Sequence, residues 1–418
     1  MNDPARAAAN DIAVGRMLAS EPQLVGIEPA VDVVPGMTPQ TILTSGAPLE
    51  WSAYTGGQRR AVLFGAVYEG LARDIDEADR LIRDGKIHVR STQDHSCIGS
   101  VAGIFSASMP VVIVEDTAHG HKAFCSLYEG PSRLKLNYGA YDDNVRDALN
   151  WLRDSLAPLL SAAIEISGPI PLKPLMARGL RMGDELHSRN TAATILFARE
   201  INKSLLELYA GGRQTEVLAA FDFLYENEYS FLRLGMAAAK VMADAAHGVD
   251  GSSLVTAMAI SCQDFAIRVS GLGDTWFRGP HPTLEGRFFD GFTDEDTEWI
   301  GGESCVTEVV GLGGFAQVCA PTLQAYQGGN YATMQRTNDE MYRICVREND
   351  QFLLPPFGFR GAPTGIDIFK VLDTGITPAI DGGLAGKDGG QIGAGILRPP
   401  IDCFAKAAAA HEEMKSTP

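Results

Sequence analysis

The chain has 418 residues, 45% hydrophobic and 21% charged, which is the composition of an ordinary soluble globular protein rather than of a disordered chain or a coiled coil. Lys+Arg 35 against Asp+Glu 52 leaves a net charge of −17. An excess of this size repels phosphate backbones and anionic lipid headgroups, and without a basic patch it excludes nucleic-acid and membrane-surface binding as functions.

At about 150 residues per domain the length predicts two to three domains. Met1 to Asp11 lacks the basic start and apolar run of a secretory signal, and Ser96 to Val114, the longest uncharged stretch, is interrupted by Gly99, Gly103 and Pro110. The expectation is a cytoplasmic protein with no membrane span. Cys97, Cys125, Cys262, Cys305, Cys319, Cys345 and Cys403 are widely spaced and form no CxxC pair, so they read as small buried or loop residues, not a disulfide or zinc framework.

In chain order, Asp74 to Gly85 predicts a short helix with an acidic first turn and a glycine stop. Val111 to Val114 and Lys122 to Leu127 predict two strands, a hairpin or sheet neighbours, joined across His119-Gly120. Residues 1–142 are therefore expected to form an N-terminal α/β domain. From Asp143 to Gly248 the apolar spacing becomes helical, and Gly168-Pro169 ends the first helix. A second is predicted from Asn190 to Tyr209 and a third from Glu216 towards His247, which makes 143–250 a mainly helical domain.

Short strands are predicted again at Ala266 to Leu272 and Val306 to Leu312, with one helix from Thr333 to Asn349. Gly361 to Gly395 is rich in glycine and carries Asp367, Asp373, Asp381, Lys387 and Asp388, a composition able to wrap backbone amides around an anionic or carbonyl group. Residues 251–418 thus read as a glycine-rich C-terminal α/β domain. The fold class expected is mixed α/β and multi-domain, with a helical middle between two sheet-containing regions.

No phosphate loop, nucleophile elbow, zinc helix or dinucleotide fingerprint occurs, and Gly311-Leu312-Gly313-Gly314 is only a fragment of such a pattern. The densest polar cluster is Asp184-Glu185-Leu186-His187-Ser188-Arg189-Asn190, ahead of a long apolar helix. Ser188 or Asn190 suffices as an N-cap, so the surplus of acid, imidazole, guanidinium and amide suits the binding and polarisation of a small carbonyl compound. His187 is the candidate proton-transfer group, oriented by Glu185 or Glu129, because imidazole titrates nearest neutrality. A competing use is metal binding, for which one imidazole among carboxylates suits Mg²⁺ or Mn²⁺ better than zinc.

Arg268 and Ser270 stand two apart on a predicted strand and share a face, where an arginine fork could grip a carboxylate or phosphate. An ordinary ion pair is the alternative. Glu308 in the predicted Val306–Leu312 strand is an inward carboxylate that needs a purpose, and Gly313 and Gly314 are candidate carbonyl-polarising amides.

The segments Ser106–Pro110, Tyr138–Tyr141, Met182–Glu185, His187 with Arg189-Asn190, Ile267–Gly273, Trp276-Phe277, Thr374–Pro378 and Gly390–Gly395, in this order and spacing, resemble the YlbE-like family. That family is catalogued as a domain of unknown function and is linked to the oxamate carbamoyltransferase complex of allantoin degradation. The resemblance spans nearly the whole chain. It implies a multi-subunit enzyme with an FdrA-like acyl-CoA-synthetase-type partner among its subunits, moving the carbamoyl group of oxalurate to phosphate. A divergent transferase or hydrolase on another ureido or lactam-like substrate, a non-catalytic scaffold subunit, and a homo-oligomer all remain open.

The departures from the family pattern replace amide side chains in three segments: Ser96–Gly103, Ser261-Cys262, and Tyr128 before Glu129. Orphaning a buried hydrogen-bond partner costs about 1–3 kcal/mol. A changed substrate is therefore expected, with Ser96, Tyr128 and Ser261 lining one cavity together with Glu129, His187 and Arg268.

Overall fold

The computed structural model describes residues 3–416, so the first two and last two residues of the predicted terminal domains lie outside it. Its architecture is mixed α/β, with small sheets set around a helical centre. The largest sheet has four antiparallel strands in the order Lys122–Ser126, Pro110–Asp116, Pro22–Pro29 and Ile170–Pro171. Its core pair is the predicted hairpin, in register from Val111 opposite Ser126 to Glu115 opposite Lys122. A parallel pair, Thr41–Thr44 with His88–Ser91, encloses the helices Gly56–Tyr68 and Ile75–Arg83, the crossover length that parallel pairing demands.

The predicted helix after Asp74 is present as Ile75–Arg83, and the Asp74 side chain caps it at Glu77 N. Thr191–Ala210 matches the second predicted helix. The third is broken into Gln214–Glu226 and Ser230–Ala245, because the Asn227 amide folds back onto Phe223 O and ends the first piece. Ser230–Ala245 is buried around almost its whole circumference, as a helix apolar on all sides must be. It packs on the four-stranded sheet and on the helices Pro4–Ala19, Leu172–Arg181 and Thr191–Ala210.

Two further antiparallel sheets, Val255–Ile260/Phe265–Val269/Trp276–Gly279 and Thr283–Phe288/Gln391–Arg398/Ile380–Ala385, flank this helical centre. The first contains the predicted Ala266 strand. The predicted Thr333–Asn349 helix ends earlier, as Tyr331–Ile344, and Cys345–Leu354 pairs instead with Arg360–Ile366.

The Val306–Leu312 strand is not formed. Val306–Val309 is a short helix, held by Thr307, whose N–H donates to Ser304 O. This local bond and burial on every side here override the β-propensity of valine.

One hydrophobic cluster contains residues of all three predicted segments, among them Leu24, Val112, Leu160, Phe231, Met258 and Phe404. All seven cysteines are free and buried. No helix among the described residues is long and apolar enough to cross a membrane.

Candidate functional site

A cavity of about 160 Å³ lies where the helical centre meets the two later sheets. Tyr128, Lys135, Asn137 and Tyr138 come from the loop after the hairpin, and His187 and Ser188 from the turn before helix Thr191–Ala210. Tyr229 and Arg233 come from the start of the central helix, Ser304 and Cys305 from the turn before Val306–Val309, and Asp381 to Ala385 from a strand.

His187 is buried and bonded through both ring nitrogens. Nδ1 lies 2.8 Å from Glu308 Oε1, and Nε2 lies 2.8 Å from Ser304 Oγ. The Glu308 carboxylate, fully buried, also accepts from Thr307 Oγ1 (2.9 Å), Gly314 N (3.0 Å) and Asp381 N (3.0 Å). An acceptor at that position assigns the proton on Nδ1 and leaves Nε2 facing the serine hydroxyl. Burial opposes the charged imidazole; the negative charge of Glu308, the hydrogen bond to it and the charge of Glu185 outweigh burial and raise the His187 pKa.

Beneath His187, the Glu185 carboxylate accepts from the backbone N–H groups of His187, Ser188 and Arg189 and so shapes the turn. Glu185 also faces Asp381. Burial raises both carboxyls, Glu185 well above the usual range and Asp381 to about 7, and each is held there in part by negative charge beside it, Asp381 for Glu185 and Glu308 for Asp381. Asp381 Oδ1 also accepts from Gln317 Nε2 at 3.0 Å.

The opposite wall carries the cations. Arg233, buried on the central helix, reaches Ser126 Oγ at 3.5 Å and has no hydrogen-bond partner for its Nε. Lys135 is half-buried, and desolvation lowers its pKa despite Glu129 nearby. Its ammonium lies 5.4 Å from the centre of the Tyr128 ring and 5.9 Å from that of Tyr138. Tyr229 and Tyr326 are hydrogen-bonded to one another, and Gln391 donates to Tyr326. A pair of cations ringed by phenols in a small, partly enclosed cavity is complementary to a small anion.

Glu308 and Glu185 spend their lone pairs on protein donors, and among the described residues no group of three or more His, Cys, Asp or Glu is placed to hold a metal ion.

Residues 87–304 match the family model for the oxamate carbamoyltransferase subunit AllG. The chain is 35% identical to the oxamate carbamoyltransferase subunit AllG of Escherichia coli K12, over 97% of this chain and 98% of that one. The chain belongs to the AllG family. It is also 41% identical to the uncharacterized protein YahG of Escherichia coli K12, over 96% of this chain and 85% of YahG. A crystal structure of a conserved protein of unknown function from Enterococcus faecalis V583 matches this AllG-family fold with a TM-score of 0.93 and 37% identity, over 98% of each chain.

Within this AllG-family chain the residues singled out from sequence divide sharply. His187 and Tyr128 line the cavity, and Glu308 lies behind the imidazole on its Nδ1 side. The imidazole is oriented by Glu308, correcting the expectation of Glu185 or Glu129. Glu129 is buried, with its pKa raised by burial, and holds the Leu136 and Asn137 amides. Gly313 N donates to the backbone carbonyl of Glu185 and Gly314 N to the Glu308 carboxylate, so both amides are taken by the protein itself and are not free to polarise a substrate carbonyl. Gly313 has φ +58°, and a Cβ there would lie 2.0 Å from Glu308 Oε1. Asp184, raised to about 6 by burial, is the side chain that caps Thr191–Ala210 through Ala192 N and Ala193 N. Asn190 donates to His187 O and makes no side-chain cap.

The remaining candidates lie outside the cavity. Arg189 donates to Gly183 O and sits 3.6 Å from Asp184. Arg268 spends its fork on Asp244 and Asp274 and lies over the Trp276 ring, which is the ion-pair alternative, and Ser270 donates to Ala246 O. Ser96 is a left-handed turn residue, Ser261 is bound to Asp264, and Lys387 is exposed on Glu295 O. Ser96, Tyr128 and Ser261 therefore do not converge, and the inference of a changed substrate from their convergence fails. Ser304, Arg233 and Asp381 also line the cavity and were not singled out from the sequence as site residues. Asp381 stood in the glycine-rich segment, but nothing local distinguished it from its acidic neighbours.

Proposed function

We propose that the cavity is the carbamoyl-transfer site of an oxamate carbamoyltransferase-type complex, in which this chain works with partner subunits, an FdrA-like one among them, in the cytoplasm. The observation that carries this reading is the combination, in one small cavity, of an imidazole backed by a buried carboxylate and two cations, Arg233 and Lys135. The volume is below the roughly 300–1,000 Å³ typical of sites for drug-sized ligands and suits a small metabolite.

Oxalurate and phosphate are both small anions. Arg233 and Lys135 bind their charged ends and draw the ureido carbonyl towards His187, and charge that develops on the carbonyl oxygen is stabilised by the same cations. His187 Nε2 takes and returns the proton, while Glu308 stabilises the imidazolium formed in between.

The test is the chain coexpressed with its partner subunits and assayed for oxalurate phosphorolysis. Carbamoyl phosphate and oxamate are expected, with loss of turnover in an intact His187→Ala complex. An intact complex in which His187→Ala turns over like wild type overturns the reading in favour of a scaffold role. Inactivity of the wild-type complex on oxalurate overturns the substrate in favour of another ureido compound.

A further inference from the structure

From the Ser304–His187–Glu308 hydrogen-bond chain we infer that Ser304 is a nucleophile that carries the carbamoyl group covalently, so that transfer proceeds in two steps through a carbamoyl-serine. This rests on the carbamoyl-transfer reading above and specifies how that transfer occurs.

Several nucleophilic side chains line the cavity, including Ser100, Ser188, Ser304 and Cys305. Only the Ser304 hydroxyl meets His187 Nε2, at 2.8 Å and with the other ring nitrogen already committed to Glu308. That is the arrangement of nucleophile, base and orienting acid by which a hydroxyl is activated on unrelated folds. Cys305, the intrinsically better nucleophile, is disarmed: its thiol donates to Met258 O at 3.1 Å and burial keeps it protonated.

The backbone around Ser304 is fixed on both sides. Glu303, fully buried, accepts from Gly46 N, Gly99 N and the Thr92 hydroxyl, and the Ser304 carbonyl accepts from Thr307. Such clamping holds a half-buried hydroxyl at attack geometry without further ordering cost.

In the first step Ser304 Oγ adds to the ureido carbonyl carbon as its proton passes to His187 Nε2. The C–N bond to the oxamate nitrogen breaks with its electron pair, and that nitrogen takes the proton from His187. In the second step an oxygen of hydrogen phosphate attacks the carbamoyl carbon and gives its proton to His187. Oγ then leaves and regains a proton from the imidazole, which releases carbamoyl phosphate.

The experiment uses the assembled complex without phosphate. Labelled oxamate should exchange into oxalurate, and the peptide containing Ser304 should gain the mass of one carbamoyl group. Both signals should vanish in Ser304→Ala, with phosphorolysis down by on the order of 10³-fold or more. Ser304→Cys should instead yield a thiocarbamate on the same peptide. Phosphorolysis by wild type with neither exchange nor adduct would overturn the covalent step and leave the carbamoyl-transfer reading standing. p-Nitrophenyl carbamate separates the remaining cases. Its His187-dependent labelling of Ser304 in a complex inactive on oxalurate upholds the nucleophile and overturns the substrate, whereas absence of both labelling and turnover overturns both.

Discussion

Replacing Glu308 by Gln removes one negative charge and almost no volume. The amide oxygen can take the Oε1 position, where His187 Nδ1, Gly314 N and Asp381 N all require an acceptor, and the amide nitrogen then faces Thr307 Oγ1, which can rotate to accept. The correct His187 tautomer survives, so the loss is electrostatic. An imidazolium 2.8 Å from a carboxylate gains about 6 kcal/mol by Coulomb's law at an effective dielectric of about 20. The neutral hydrogen bond that remains recovers part of this, leaving roughly 3–4 kcal/mol, a fall in kcat on the order of 10²–10³-fold. Without its counter-charge, burial also pulls the imidazole down, so the acid limb of the pH–rate profile, which in wild type should lie above the ordinary 6.5, should move to lower pH. Stopped carbamoyl phosphate assays across pH on the assembled complex, with a thermal melt of each protein, separate rate from folding. A kcat within about threefold of wild type, or an acid limb that stays put, refutes the electrostatic account.

Gly313→Ala should do more damage, because the new Cβ displaces Glu308 Oε1 from 2.0 Å away and the positive φ alone costs roughly 1–2 kcal/mol; a lowered denaturant midpoint together with lost turnover is the expected pair. Arg233→Met should raise KM for the anionic substrate about 10–100-fold, the worth of one charge-assisted hydrogen bond, with Arg233→Lys recovering part of it in steady-state kinetics. The raised Asp381 and Glu185 carboxyls bind a proton that the unfolded chain has already released, so wild-type stability should fall as pH rises from the ordinary carboxylate range through about 7. Asp381→Asn, neutral at every pH, should flatten that fall in melts compared on either side of neutrality.

The legibility of this molecule follows the range of its interactions. The hairpin at Val111 and the helix at Thr191 are set by a continuous apolar run and by helical spacing within a dozen residues, and both are present. His187 stood out because a cap needs fewer polar groups than its turn supplies. Glu308 stood out as an inward acid, yet its valine-rich surroundings suggested a strand, since no local pattern announces that Gly314 and Asp381 will donate to its carboxylate. Arg268 and Ser270 do sit on the strand as predicted, or at its end, but their partners are on the helix Ser230–Ala245 and the turns beside it, and spacing cannot reveal these. Arg233 was hidden for the opposite reason: on a helix buried on all sides, one arginine among apolar residues looks like a break in the pattern rather than a ligand.

The imidazole and its acid are separated by 121 positions in the chain, and imidazole and serine by 117. Contacts of such span close long loops and come late in folding, after hairpins and helices have formed from neighbours. Competence of this centre is accordingly a reporter of completed folding. During refolding, helical signal should recover first and the His187 environment only afterwards, and a nascent chain stalled before Ser304 would hold a folded imidazole turn with nothing for it to activate.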